Sequence, residues 1–340
     1  MKRIQIFRLH IKKIKQLQFF LQNYWRKNHI FVKNKNFLIW QHKRGSFLTY
    51  AIAKLQNKIV GILGYIPQSH YDPRLPNGEI FLGIFRTLEN ISPAIGLSLF
   101  RFIQKNLSKK FIGTSGEWTT SIVNYNKLLG FSVGYMNHYL VTSPYLKKYK
   151  IINFKRKLIT SIKCDDYKFF EIDEKFLKKK KLYNLFKYQY PKKSSIFIIN
   201  RYLKHPIYKY NVFLLKKYSE PLALVIIRKV KIGKASAIRI VDFIGKQNEF
   251  SNIGNLIIYL FKKHKSEFID IYSYGINVKY MEKVGFIDRR KINNLIVPDY
   301  YEPFIRKNVN LMYGYMCKYK KKNKIRILKG DGDRDRPNII

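Results

Sequence analysis

One short motif occurs twice in this sequence. The first copy reads Tyr125-Asn126-Lys127-Leu128-Leu129-Gly130-Phe131, and the second reads Tyr280-Met281-Glu282-Lys283-Val284-Gly285-Phe286. The glycines of the two motifs, at positions 130 and 285, lie 155 residues apart. Upstream, Ile95-Gly96 and Ile253-Gly254 each open an apolar run, and the glycines at 96 and 254 lie 158 residues apart. Two landmarks in the same order at nearly the same offset predict two copies of one domain.

Local patterns predict the same order of elements in both copies. In the first half, the predicted strands are 47–54, 58–66, 79–87 and 111–114, with helices at 95–106 and 119–129 and closing strands within 131–142. In the second half, the predicted strands are 167–172, 210–215, 222–230, 237–244 and 268–272, with helices at 173–186, 251–263 and 278–284. The predicted fold class is α+β, with a mixed, mostly antiparallel central sheet flanked by helices in each domain. The predicted domains are residues 1–145 and 164–329, joined by a linker at 146–163 and followed by a polar tail at 330–340.

Length and composition allow this organisation. The 340 residues are enough for two domains of ordinary size, and 46% of them are hydrophobic, which supplies a sizeable core. The 67 Lys and Arg residues exceed the 21 Asp and Glu residues, so the formal net charge is +46. Two interpretations stay open. The charge is a by-product of a coding bias that enriches Lys, Asn, Ile, Phe and Tyr together, or it serves to attract a polyanion.

Several classes of protein are excluded by simple counts. Two cysteines, Cys164 and Cys317, cannot form a disulfide framework or a CxxC metal site. The best uninterrupted apolar stretch, residues 59–66, is far shorter than the roughly 20 residues of a membrane helix, so we expect no transmembrane span. Charges interrupt the first 16 residues before a signal-peptide core can form, so we expect a cytoplasmic protein.

The predicted element order resembles the GNAT (acyl-CoA N-acyltransferase) superfamily in a tandem, two-domain arrangement. The stretches that carry the resemblance are Gly61-Ile62-Leu63-Gly64-Tyr65, the loop before Gly96, Tyr125 to Phe131, Asn200-Arg201-Tyr202 with His205-Pro206, and Tyr280 to Phe286. The resemblance implies transfer of an acyl group, with acetyl as the expected group, from acetyl-CoA or another acyl-CoA to an amine, without a metal.

The resemblance also implies a loop that binds the pyrophosphate of the cofactor. Such a loop uses the unpaired N–H groups and the dipole at the start of a helix. The residues that this placement assigns to the cofactor are Leu88, Asn90, Ala94, Ile95, Gly96, Leu97 and Ser98. The usual family form is Gln/Arg-x-x-Gly-x-Gly/Ala, but Pro93 and Ser98 stand at its ends in the first copy and Ser251 and Leu256 in the second. Three alternatives therefore stay open. The pyrophosphate is bound in an altered way, one copy binds no cofactor, or Gly96 only packs its helix on a strand.

The implied reaction needs a base, an oxyanion donor and an acid. For the base, Glu89 at the end of the third strand is the first candidate and Glu117 the second, and a solvated loop carboxylate is the alternative for Glu89. The resemblance places the oxyanion donor, a backbone N–H, at about residues 88–90. Tyr125 is the candidate acid for the departing thiolate. Its spacing to Gly130 is one residue longer than the common family spacing, so packing in the core is the alternative role.

The second copy offers candidates for substrate binding. They are Arg201, His205, Asp242 and Tyr280. Asp242 interrupts an apolar strand, and a lone buried acid is costly unless it is paired. An ion pair with Arg201 or Arg239 is its alternative role, and a turn histidine is the alternative for His205.

The tail ends in Gly330-Asp331-Gly332-Asp333-Arg334-Asp335-Arg336-Pro337-Asn338. The alternating acids are spaced as in a calcium loop, but the glycine and the distant glutamate of an EF-hand are missing, so we expect no metal. This ending resembles that of tandem GNAT-like proteins associated with surface-polysaccharide biosynthesis, which implies a nucleotide-linked amino sugar as the acceptor.

Two other functions compete with the leading one. The first is an aminoacyl-tRNA-dependent transferase of similar tandem fold, since phosphate contacts dominate the affinity for tRNA. The second is a non-enzymatic basic protein that binds polyanions, although no RRM, KH or helix-turn-helix signature is present. For the transferase, an acidic acyl carrier protein is a further candidate partner.

Overall fold

The computed structural model describes residues 4–89, 91–92, 94–106, 110–153, 162–180, 182–318 and 324–338. Two mixed sheets flanked by helices form an α+β architecture, which confirms the predicted fold class. The predicted strands and helices are present, with ends that shift by a few residues, except that the single predicted helix 173–186 is wrong. In that range, the described residues form two short helices, Glu174–Lys179 and Tyr183–Phe186, because Lys180 ends the first of them in an extended conformation. The largest shift is at the predicted helix 251–263, which begins as a helix only at Gly254 because residues Gln247–Asn252 form a 3-10 turn.

The first sheet has eight strands among the described residues, in the order β1-β3-β4-β5-β6-β17-β7, with β2 paired to β3. Their bounds are β1 Gln5–His10, β2 Lys43–Arg44, β3 Phe47–Leu55, β4 Lys58–Pro67, β5 Glu79–Thr87, β6 Phe111–Gly116, β7 Ser132–Tyr135 and β17 Met312–Cys317. The pairing of β5 with β6 is parallel, and the other pairings are antiparallel.

The second sheet also has eight strands in the described ranges, in the order β14-β8-β13-β12-β11-β10-β9, with β18 paired to β13. Their bounds are β8 Asn137–Thr142, β9 Lys168–Ile172, β10 Tyr210–Lys217, β11 Glu220–Ile232, β12 Ala235–Gly245, β13 Phe268–Tyr274, β14 Ile287–Asp288 and β18 Ile327–Leu328. A separate hairpin is formed by β15, Pro298–Tyr301, and β16, Phe304–Asn308. Here too one central pairing, of β12 with β13, is parallel.

The helices pack on both sheets. Their bounds are α1 Ile14–Tyr24, α2 Ile30–Lys33, α3 Lys35–His42, α4 Ala94–Asn106, α5 Thr120–Leu128, α6 Glu174–Lys179, α7 Tyr183–Phe186, α8 Ser195–Ile198, α9 Gly254–His264 and α10 Val278–Lys283. The repeated motif has a physical reason: Gly130 follows α5 with φ +88° and Gly285 follows α10 with φ +97°. These left-handed conformations end both helices, and glycine adopts them without strain. None of the helices in the described ranges is long and apolar enough to cross a membrane.

The two sheets exchange strands. The late strand β17 lies between β6 and β7 in the first sheet, and the early strand β8 lies between β13 and β14 in the second. Only Met136 separates β7 from β8, and its N–H donates to the carbonyl of Leu311, just before β17. Hydrogen bonding therefore crosses the predicted linker in both directions, and each sheet is completed by the other half of the sequence.

Buried ion pairs hold the C-terminal segment inside the molecule. Asp335 lies 2.8 Å from Arg228, and Asp331 lies 2.8 Å from Lys193. The four side chains are at most 7% exposed. The same segment also reaches the first half, because the carbonyl of Asn338 accepts from the N–H of Ile30. Residues 324–338 are thus a bridge between the two halves, not a solvated end.

Breaking one of these pairs tests their contribution to stability. Burial alone would raise the pKa of Asp335, but Arg228 and then Lys329 lower it to about 2. We expect Asp335→Asn to lose about 3–5 kcal/mol, because Arg228 is left buried without a counter-charge. The stability of the unmodified protein should fall as the pH drops from about 4 to about 2, and the variant should show a smaller fall.

The measurement is the free energy of unfolding from denaturant titrations across pH. The control is Glu89→Gln, since Glu89 is 80% exposed and pairs with Arg86 on the surface and should contribute less than about 1 kcal/mol. Equal losses in the two variants would show that the tail pair is not a structural anchor.

Candidate functional site

A cleft opens in the first sheet where its two parallel strands separate. β5 and β6 pair only from Glu79 with Phe111 to Phe81 with Gly113. Beyond those pairs, the two strands diverge around a cavity of about 650 Å³. The cavity is lined by the ends of both strands, by the first turn of α4, by α5 and by the C-terminal segment.

The β5 wall of this cleft contains a bulge. Leu63 pairs with Phe85 and Tyr65 pairs with Leu82, so β5 has one extra residue opposite Gly64. A bulge of this kind takes a residue out of the regular ladder and is frequent beside active sites. The extra residue is in the Gly83-Ile84 step, which lines the cleft. Backbone groups of β5 are therefore available at the wall of the cleft.

Tyr125 lies in the apolar part of the cleft. Its hydroxyl is buried and has no hydrogen-bond partner among the described residues. Its ring is nearly parallel to that of Phe85, with the centroids 6.4 Å apart. A Cβ atom built at Gly96 would lie 3.4 Å from the Tyr125 hydroxyl and 2.8 Å from Cζ of Phe85. Burial raises the pKa of Tyr125, so the phenol keeps its proton at neutral pH.

The start of α4 is only partly free. The N–H of Ala94 donates to Oγ of Ser92 at 3.3 Å, and the N–H of Ile95 donates to the carbonyl of Ser92 at 3.3 Å. Ile95 is buried against β4, where a Cβ built at Gly61 would lie 2.8 Å from it. Of the predicted cofactor residues that the structure describes, only Gly96 lines the cleft.

The other predicted cofactor residues lie around it. Leu97 and Ser98 are half-buried on α4, outside the lining of the cleft. The N–H of Leu88 donates to the carbonyl of Val60 at 2.9 Å, so it completes the sheet. Asn90 lies outside the described residues.

The C-terminal segment forms the polar wall. Asp333 Oδ2 would lie 3.1 Å from a Cβ atom built at Gly83, beside the bulge. Asp333 also lies 3.4 Å from Nε of Arg336, and both side chains are at most 15% exposed. Nη1 of Arg336 lies 2.9 Å from Nε2 of His29. Nδ1 of His29 accepts from the N–H of Phe31 at 3.2 Å. Burial and then Arg336 lower the pKa of His29 to about 2, so this histidine is neutral.

The predicted base candidates differ in position. Glu89 is 80% exposed, pairs with Arg86 and does not line the cleft. Glu117 lines the cleft but is 45% exposed and pairs with Lys307 at 3.2 Å. It also accepts from the Tyr300 hydroxyl at 3.3 Å. Of the two acids, only Glu117 is brought to the site.

The corresponding helix start in the second copy is covered by the chain itself. A Cβ atom built at Gly254, the counterpart of Gly96, would lie 1.8 Å from the carbonyl oxygen of Lys163. Nδ2 of Asn255 donates to the carbonyl of Asp165 at 2.5 Å and to that of Tyr167 at 3.1 Å. Gly254 therefore lets the backbone of Lys163 approach the start of α9 closely, at the place where a pyrophosphate would bind.

The gap between the parallel strands of the second sheet is also filled. β12 and β13 pair only from Ile238 with Ile269 to Ile240 with Ile271. Beyond these pairs, β18 pairs with the end of β13, at Ser273 and Tyr274. The N–H of Gly330 then donates to the carbonyl of Val241 on β12 at 2.8 Å. The C-terminal segment thus takes the space that is open in the first copy.

The substrate candidates of the second copy are interior residues. Arg201 donates to the carbonyls of Gly330 and Asp335. Asp242 pairs with Lys193 at 2.6 Å and accepts from Tyr202 at 2.7 Å, so the anticipated partners Arg201 and Arg239 were wrong.

His205 and Tyr280 have local roles. Nδ1 of His205 accepts from the N–H groups of Ile207 and Tyr208, as a turn histidine does. Tyr280 is half-buried against the core of the second sheet. None of the four substrate candidates lines the open cleft.

The aspartates of the tail have separate partners. Asp331 pairs with Lys193, Asp333 with Arg336 and Asp335 with Arg228. Among the described residues, no group of three or more His, Cys, Asp or Glu side chains is arranged to hold a metal.

Sequence reasoning missed the role of the tail in the open cleft. Its signal was the density of acids and arginines in residues 331–336 of a chain that has only 21 acidic residues. It also missed Trp25 and His29, which line the cleft from the segment between α1 and α2. No periodicity or motif spacing in the sequence indicates either contribution to the cleft, because both arise from packing between residues that are far apart in the sequence.

Comparisons with known proteins concern the fold. No protein-family model matches the sequence, and a search of the curated proteins finds no match. Among solved structures, the chain is similar to a GCN5-related N-acetyltransferase from Anabaena variabilis ATCC 29413, with TM-score 0.56 and 11% identity over 92% of this chain and 72% of that one.

A conserved protein of unknown function from Enterococcus faecalis V583, titled a probable N-acyltransferase, gives TM-score 0.55 and 8% identity, over 92% of this chain and 72% of that one. A GCN5-related glucosamine N-acetyltransferase region of a fungal multi-domain GH3 β-N-acetylglucosaminidase gives TM-score 0.52 and 8% identity, over 93% of this chain and 38% of that one. The likeness shows that this chain has the GNAT fold.

The difference between the two helix starts predicts a difference between two matched variants. Gly254→Ala should lose about 1–3 kcal/mol or more, because its methyl group meets a backbone carbonyl that is fixed in the fold. Gly96→Ala should change stability by less than about 1 kcal/mol, because Phe85 is 40% exposed and can move, and because alanine favours the helix. Denaturant unfolding measures both. A larger loss at Gly96 would contradict the assignment of the open and the filled copy.

Proposed function

We propose that this protein is an N-acyltransferase that uses an acyl-CoA thioester in the cleft of the first sheet. The observation that carries the proposal is the divergence of β5 from β6 beside the start of α4, open in the first copy and filled by the chain in the second. The gap offers an extended pantetheine arm a slot between two strand edges, and the adjacent helix start offers N–H groups to a pyrophosphate. The GNAT fold supports this proposal.

The bulge of β5 supports a position for the oxyanion donor. The tetrahedral intermediate of acyl transfer needs a donor aimed at the developing negative charge. We assign that donor to a backbone N–H of the Gly83-Ile84 step, which lines the cleft. The sequence placed the donor at about Leu88 to Asn90. The N–H of Leu88 is already used by Val60, so its position does not support that placement.

The proton transfers have candidate groups on opposite walls. The amine nitrogen attacks the thioester carbonyl, its surplus proton passes to a base, the C–S bond breaks and the thiolate takes a proton from an acid. Asp333 lies beside the bulge and is the candidate base. Tyr125, whose buried hydroxyl has no partner among the described residues, is the candidate acid.

The acceptor side is polar and aromatic. Arg26, Trp25, Trp118, Tyr300 and Arg336 line it. Aromatic rings suit the flat face of a sugar, and arginines suit phosphate oxygens. This supports an amino sugar linked to a nucleotide as the acceptor, with acetyl-CoA as the donor, and the resemblance of the tail to proteins of surface-polysaccharide biosynthesis points to the same class. An aminoacyl-tRNA donor is the alternative for the same cleft.

Removal of one hydroxyl tests the acid. We expect Tyr125→Phe to lower the kcat of acetyl transfer to glucosamine or UDP-glucosamine by about 10²-fold or more, since general acid catalysis is typically worth about 10²–10⁴-fold. Tyr280→Phe, at the matching position of the second copy, is the control and should leave kcat within about twofold. Release of free CoA thiol measures the rate. Equal kcat in Tyr125→Phe and the unmodified protein would remove Tyr125 from the mechanism.

Neutralisation of one carboxylate tests the base. Asp333→Asn should lower kcat by about 10²-fold or more. Glu89→Gln should leave kcat unchanged, because Glu89 lies on the surface outside the cleft. Transfer of a labelled acyl group to the acceptor, from acetyl-CoA in one reaction and from aminoacyl-tRNA in another, separates the two donors. Turnover with aminoacyl-tRNA alone would overturn the thioester proposal while keeping the cleft.

A further inference from the structure

A second cavity lies away from the open cleft. It has a volume of about 660 Å³ and lies between the β7–β8 connection and the segment that follows β14. Its lining is rich in carboxamides and contains two adjacent arginines, Arg289 and Arg290. None of its lining residues belongs to the lining of the acyl-transfer cleft. This second cavity is therefore separate from the cleft of the proposed function.

Arg289 is a buried charge without a counter-charge. It is 7% exposed. Its Nη2 donates to Oδ1 of Asn310 at 2.6 Å, and its Nε is buried with no partner among the described residues. The nearest acid in sequence, Asp288, is taken by Arg290 at 2.8 Å. All 21 Asp and Glu residues lie in the described ranges, and none of their side chains pairs with Arg289.

An unpaired buried guanidinium is unfavourable. Arginine does not lose its proton in proteins, and a buried charge normally has an opposite charge or several hydrogen bonds. Arg289 has one neutral acceptor and lines an accessible cavity. A planar guanidinium with free N–H groups matches the oxygens of a carboxylate or a phosphate. The missing partner is thus an anion that enters from solvent.

A second unsatisfied group lines the same cavity. His138 is 2% exposed, its Nε2 lies 3.1 Å from Asp270, and its ring is stacked on Tyr272 at 3.7 Å. Its Nδ1 is buried and has no partner among the described residues. A carboxylate accepts from Nε2–H, so Nδ1 of the neutral ring is an acceptor. It suits a hydroxyl group carried by the same ligand.

We propose that this cavity binds a small oxyanion, held by the Arg289 guanidinium, with a hydroxyl group of the ligand donating to Nδ1 of His138. Inorganic phosphate and glycolate represent the two forms of this chemistry, a tetrahedral phosphate and a planar hydroxy carboxylate. The site is separate from any phosphate subsite for a cofactor in the first sheet.

The chain supplies a matched pair of variants. Arg290 lines the same cavity and carries the same charge, but its side chain is 46% exposed and already paired with Asp288. Because a +46 chain attracts anions everywhere, Arg289→Gln and Arg290→Gln lower that background equally. Equilibrium dialysis with labelled phosphate or glycolate, at constant ionic strength set with chloride, measures the dissociation constants.

We expect Arg289→Gln to weaken binding of the preferred anion at least about tenfold, and Arg290→Gln less than about twofold. The anion that binds more tightly identifies the form of ligand. Equal weakening in both variants would overturn the proposal. So would a phosphate or glycolate affinity no higher than the affinity of the protein for chloride.

A measurement on the unmodified protein keeps the test valid if Arg289→Gln does not fold. Phenylglyoxal modifies accessible guanidinium groups, and peptide mass spectrometry reports the extent at each arginine. Phosphate or glycolate should slow modification of Arg289 at least about fivefold relative to Arg290, given a charge-assisted contact. Equal rates with and without the anions would contradict the site.

Discussion

The ion pairs that bury the C-terminal segment determine which of the two similar clefts stays open. Lys193 lies between Asp242 on β12 and Asp331 of the segment, at 2.6 and 2.8 Å. This contact places Gly330 against β12, and β18 fills the gap in the second sheet. The segment then turns to the first sheet, where Asp333 and Arg336 line the open gap. One stretch of chain thus closes one site and completes the other.

The same pairs explain where the few acids of a basic protein are used. Ten of the 21 acidic residues are buried, namely Asp72, Glu79, Asp242, Glu249, Glu267, Asp270, Asp288, Asp299, Asp331 and Asp335. Several of them neutralise interior Lys and Arg side chains, so the surface is left more basic than the interior. In a protein with so few acids, a carboxylate in the open cleft, such as Asp333, is therefore a more specific indication of a functional group than any surface lysine is.

Much of the fold was predictable because it depends on local patterns. The two Gly-Phe motifs end α5 and α10 through left-handed glycines, and alternation of apolar residues marked the central strands. Of the site, the sequence indicated Gly96, Tyr125 and Glu117, which all line the cleft. Gly96 and Tyr125 lie on α4 and α5, the helices that carry the repeated landmarks, and Glu117 follows directly after β6.

The rest depends on contacts between distant parts of the chain. The exchange of β8 and β17 leaves no local signal, because each strand has an ordinary β pattern whichever sheet it joins. The closure of the second cleft by Lys163 and β18 is equally non-local. The sequence indicated a polar, extended tail, and it carries no local sign that Asp331, Asp333 and Asp335 each have a basic partner inside the molecule.

The central claim is that one of two related clefts is open. It is tested most directly by the stoichiometry of CoA binding, measured by calorimetry at about 500 mM salt, where binding to a basic surface through phosphates alone is largely lost. We predict one CoA per chain. Two CoA molecules per chain would show that the second cleft also opens, and no binding at this salt concentration would show that the first cleft is not a thioester site.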